Sequence, residues 1–77
     1  MKDNIPQAVI EAAKGLIKLY GENFKKLGPY KDQDAYLYQF PENSFTGFPF
    51  VYLYDAEKNV AVEITGFEAL DIISSFN

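Results

Sequence analysis

Cysteine, histidine and arginine are all absent from the 77 residues, and each absence excludes a kind of chemistry. Without cysteine there is no disulfide to staple the fold and no thiol nucleophile. Without histidine, a structural zinc or iron site has only oxygen ligands to draw on, and Ser44, Ser74 and Ser75 have no imidazole as general base. Without arginine the planar fork suited to phosphate and carboxylate is missing. The expectation is a protein that is not an enzyme, with no catalytic residue, cofactor or metal. A nucleic-acid partner is also not expected, because the counterion release that dominates such affinity needs dense basic residues.

Long apolar runs are missing too. No stretch approaches the roughly 20 apolar residues that span a bilayer, and the opening MKDNIPQ has no apolar run behind a basic start. No membrane partner and no export are expected, and the lack of cysteine fits a cytoplasmic location. A chain of this length lies near the lower limit at which a lone core offsets the entropy of ordering the backbone. With neither disulfide nor metal, very good packing or association with another chain has to supply the rest.

The net charge of -4 is unevenly spread. Residues 1–31 hold six lysines against three acids, whereas 32–77 hold only Lys58 against eight. That is either a solvated surface whose two ends differ, or a pattern that draws copies together head to tail or antiparallel.

Residues 1–77 read as a single α+β domain. An N-terminal helix is predicted from Val9, Ala13, Leu16 and Tyr20, which recur at spacings of three and four with Ile10 and Ile17 beside them. Asn4 is the candidate cap, and Pro6 falls in the first turn, where a missing N–H costs little. Gly21 suits the far end, so the helix ends near Tyr20; the alternative carries it to Leu27 and stops it at Gly28-Pro29.

If it ends early, FKKLGPY is an edge strand, since Pro29 cannot donate to a ladder and Lys25 and Lys26 discourage strange partners. A turn over Lys31 to Asp34 leads into a second strand, in which Tyr36, Tyr38 and Phe40 alternate with Ala35, Leu37 and Gln39. PENSFTG reads as a loop. Phe50, Tyr52 and Tyr54 then alternate with Val51 and Leu53, and Val60, Val62 and Ile64 with Ala61 and Glu63.

The turn between these last two strands pairs Leu53 with Val62 if it closes at Glu57-Lys58, or with Val60 if it closes over Asp55 to Lys58. Either way one face is aliphatic. Thr65-Gly66-Phe67-Glu68 fits a capping box ahead of a C-terminal helix, whose Phe67, Ala69, Leu70, Ile72, Ile73 and Phe76 cover an arc of roughly 220°. The expected fold is an antiparallel meander of three to four strands with both helices packed in a second layer on one sheet face.

This arrangement would leave the aromatic face bare. Seven of the thirteen Phe and Tyr residues fall between Tyr38 and Tyr54. Three uses present themselves: rings shared between core and rim, a protein interface, or a platform for a sugar or aromatic metabolite. The first expectation is a non-enzymatic interaction domain that forms a homodimer, or meets an unidentified protein partner, through Tyr36, Tyr38, Phe50, Tyr52 and Tyr54, or else through Ile72 and Phe76. The alternative is a small-ligand module on the same rings. For acid–base chemistry, Glu63 beside Tyr52 is the one pair that warrants inspection. Asp32 and Asp34 lack the glycine and glutamate of a calcium loop and read as a turn.

Overall fold

Pro6 flanks the first helical segment, its carbonyl accepting from the amides of Val9 at 3.0 Å and Ile10 at 3.2 Å. In the computed structural model, which describes residues 5–40 and 49–76, helix α1 spans Gln7–Ala12 and α2 spans Lys14–Tyr20. The two are continuous through Ala13, which donates to Val9 and accepts from Ile17. Gly21 ends α2 at φ 98° and ψ 170°, a conformation open almost only to glycine, and its amide closes the last turn on Ile17. The helix therefore ends at Tyr20, freeing the next residues for a strand. Asn4, the expected PENSFTG loop and the other residues of 41–48, and Asn77 lie outside the described residues.

Strands β1 (Phe24–Tyr30), β2 (Gln33–Tyr38), β3 (Phe50–Asp55) and β4 (Val60–Thr65) form one antiparallel sheet in the order β1-β2-β3-β4, and α3 (Phe67–Ser74) follows. The protein is thus α+β with a four-stranded meander between helical ends. The first turn is shorter than expected: Tyr30 pairs with Gln33 across Lys31 and Asp32, both at positive φ, as a tight hairpin demands. The last turn settles in the register that pairs Leu53 with Val62. The side chain of Asp55 holds it, Oδ1 accepting from the amides of Glu57 at 3.0 Å and Lys58 at 3.2 Å.

One irregularity in β1 shapes both cores. The register slips by one residue between Lys26 and Gly28, and an odd slip exchanges the faces. Phe24 accordingly packs with the tyrosines on one side, while Leu27 and Tyr30 pack on the other. Gly28 carries the distortion at φ 132°; a Cβ there would lie 3.2 Å from the ring of Phe76.

The expected placement of both helices on one sheet face is corrected by the packing. Val9 and Ala13, with Ile5, Leu16 and Ile17, cover Tyr36, Tyr38 and Tyr52. Ala69 and Ile72, with Ile73 and Phe76, cover Ala35, Val51 and Leu53 on the opposite face. The sheet is a middle layer between two helical ones. The physical reason is that it is apolar on both sides, and an apolar face of rings needs cover as much as a face of aliphatics does. The capping box is also corrected. Thr65 stays in β4, paired with Phe50, and its hydroxyl donates to the Pro49 carbonyl at 3.1 Å; Gly66, with no side chain, precedes the helix.

Candidate interaction surface

The covered rings form an edge-to-face array. Phe24 meets Tyr38 at 5.3 Å between centroids and Tyr52 at 6.1 Å, while Phe40 meets Tyr38 at 5.0 Å and Phe50 at 5.8 Å. Such geometry sets the positive ring edge against the negative face. Two phenols reach polar partners from inside. Tyr38 donates to the carbonyl of Gly21, with that of Leu16 at 3.2 Å, so a strand residue is tied to the end of α2. Tyr52 donates to Glu63 Oε1 at 2.7 Å. Burial pushes the Tyr52 phenol far above its ordinary range, with the hydrogen bond to Glu63 and the charge of that carboxylate adding to the effect. The Tyr38 phenol is raised by burial and by Tyr20.

The residues singled out for an interface are thereby placed. Tyr36, Tyr38 and Tyr52 are buried beneath α1 and α2, with Phe50 and Tyr54 half-buried at the margin of the same core. Ile72 is buried on the other side of the sheet, on the inner face of α3, and Phe76 just beyond that helix is half-buried against Tyr30 at 6.3 Å. The structure brings the first five together and separates them from the last two by the thickness of the sheet. The four buried side chains are occupied within the chain's own cores and present no surface. Glu63 and Tyr52 do meet, but a phenol that resists ionisation serves as a hydrogen-bond donor and not as a base near neutral pH.

Surface of a different kind lies at the sheet margins. Strand β1 is one edge, bearing Pro29, exposed Lys25 and Lys26 and the bulge, all devices that deter a further strand. Strand β4 is the other edge, paired among the strands with β3 alone in the described residues. It has neither proline nor lysine. Val60 is 48% and Val62 46% exposed, and on α3 Leu70 is 41% and Phe67 76% exposed. Sequence reasoning put both valines under a helix. The signal that locates them is topological: the last strand of a meander is an edge, and this one, unlike the first, has no proline, lysine or bulge and only Glu63 as a charge.

An open depression on the outer side of α1 and α2 is lined by Ile10, Glu11, Lys14, Ile17 and Lys18, and includes none of Glu63, Glu68 or Asp71. Among the described residues, no helix is long and apolar enough to cross a membrane. Comparison with protein-family models, curated proteins and solved structures finds no match for this chain.

Proposed function

We propose that the chain is a small non-enzymatic interaction domain whose contact surface is the rim formed by β4 and the outer side of α3. The observation that carries this reading is the contrast between the two sheet edges: β1 is guarded by Pro29, Lys25, Lys26 and a bulge, whereas β4 has no proline, lysine or bulge and presents half-exposed Val60 and Val62 beside a single charge, Glu63. An open edge of β-branched residues recognises other strands through main-chain hydrogen bonds. The ligand-platform alternative has less support, because the rings it would use lie beneath α1 and α2.

The test is site-specific photo-crosslinking in cells of origin. A crosslinker at Val62 is expected to capture protein, and one at Lys26 on the guarded edge is not. Equal capture from the two edges would remove β4 as the contact surface. Selective line broadening of a sugar or aromatic metabolite in ligand-observed NMR would favour the platform instead.

A further inference from the structure

We propose that β4 pairs antiparallel with β4 of a second copy about a twofold axis through Val62, joining two four-stranded sheets edge to edge. This rests on the interaction reading above and names the partner. Pairing of β4 with β1 of another copy would need the edge that Pro29 and the bulge obstruct, and would propagate without closing. Pairing of β4 with itself closes at two copies.

The residue pattern selects the register. A twofold axis perpendicular to the sheet keeps like faces together. With Val62 against Val62 of the second copy, Val60 meets Ile64 and Ala61 meets Glu63, so the α3 side of the seam is aliphatic throughout. Centring on Glu63 would set two carboxylates directly opposite each other, a destabilising arrangement. Centring on Ala61 would leave Ile64 and Thr65 beyond the reach of the partner strand.

Charge agrees with the Val62 register. It carries the Ala56–Asn59 turn of one copy alongside the start of α3 in the other, with Lys58 opposite Gly66 and near Glu68. Lys58 is the only cation in residues 32–77, and Asp55 anchors the amides of its turn. Exposed ion pairs contribute little to affinity, so this one favours register more than strength. The seam is short, and the pairing is therefore weak and reversible, below the size of a standard stable interface.

The chain has no cysteine, so a single introduced one reports on the axis directly. Val62→Cys is expected to form an intermolecular disulfide much faster than Val60→Cys, because residue 60 and its counterpart would stand roughly 13 Å apart, beyond the Cα separation of about 7 Å that a disulfide tolerates. Sedimentation should show a mass rising from 8.7 kDa towards twice that value as the concentration approaches about 1 mM. Val62→Lys should return the mass to the monomer value, with its melting curve in dilute solution confirming a folded chain; Val62→Thr should still pair. A monomer mass at about 1 mM, or equal disulfide rates at the two positions, would overturn the pairing. If the monomer persists while a crosslinker at Val62 still captures another protein, self-pairing falls and the interaction reading stands.

Discussion

Tyr52 and Glu63 are cross-strand partners in β3 and β4, and the fully buried phenol donates its proton to the exposed carboxylate at 2.7 Å. The bond lets a tyrosine lie at the centre of an apolar core without leaving its hydroxyl unsatisfied. Tyr52→Phe should cost about 1 kcal/mol in chemical denaturation and keep the fold. Tyr52→Ala, which also opens a cavity, should cost about 3–5 kcal/mol. Val51→Lys, at a fully buried position among apolar side chains only, buries an unpaired charge and should leave the chain unfolded by circular dichroism; a folded, soluble Lys variant would contradict the burial.

Both raised phenols make stability depend on alkaline pH. Below the ordinary tyrosine value of 10.0 the phenols are protonated in folded and unfolded chains alike, and their contribution is complete. Above it the unfolded chain ionises while Tyr38 and Tyr52 resist, so stability falls by up to about 1.4 kcal/mol per pH unit for each. Tyrosinate absorbance should show a late component that appears together with loss of the folded circular dichroism signal. Titration of all six tyrosines in one step ahead of unfolding would contradict it.

Two glycines should respond in opposite ways to the same substitution. Gly28→Ala forces a side chain into a positive-φ bulge against the Phe76 ring and should cost about 1–3 kcal/mol. Gly15→Ala adds a methyl group to a helix with nothing within 4 Å and should stabilise by about 0.5–1 kcal/mol. Thermal melts of the pair, measured side by side, check both signs.

Independence of the two cores is open to a double-mutant cycle. Val9→Ala loosens the core under α1 and Ile72→Val the one under α3, the latter by about 0.5–1.5 kcal/mol. With the sheet between them the two losses should add to within about 0.5 kcal/mol. A larger coupling would mean that strain passes through the strands.

Strand periodicity made much of this fold legible. The alternation at 50–54 and 60–64 identified β3 and β4, and Gly21 marked the end of α2 because only glycine takes its backbone angles cheaply. The faces were harder to assign. Tyr36, Tyr38 and Tyr52 are amphipathic, and a row of tyrosines can be surface or core; the burial of Tyr38 and Tyr52 depends on the Gly21 carbonyl and the Glu63 carboxylate being within reach, which no local pattern encodes. Thr65 misled for a related reason. Its hydroxyl had two uses, and the Pro49 carbonyl, distant in sequence but adjacent in the sheet, took precedence over the helix amides. The more open edge was readable in principle from the lysines and proline of β1 and their absence from β4, once strand order was known.

The packing of α1 against β3 and β4 also constrains how the chain folds. The β1–β2 and β3–β4 hairpins close over short turns, but α1 must wait for strands made roughly fifty residues later, and loop-closure entropy disfavours that contact until the meander exists to receive it. The tyrosine face is therefore the last to be sealed, and the N-terminal segment docks from outside as the closing step. Contacts made after the rate-limiting barrier slow unfolding without hastening folding. In stopped-flow experiments Val9→Ala should accordingly accelerate unfolding and leave the refolding rate almost unchanged, so that α1 acts as a latch governing the lifetime of the native state.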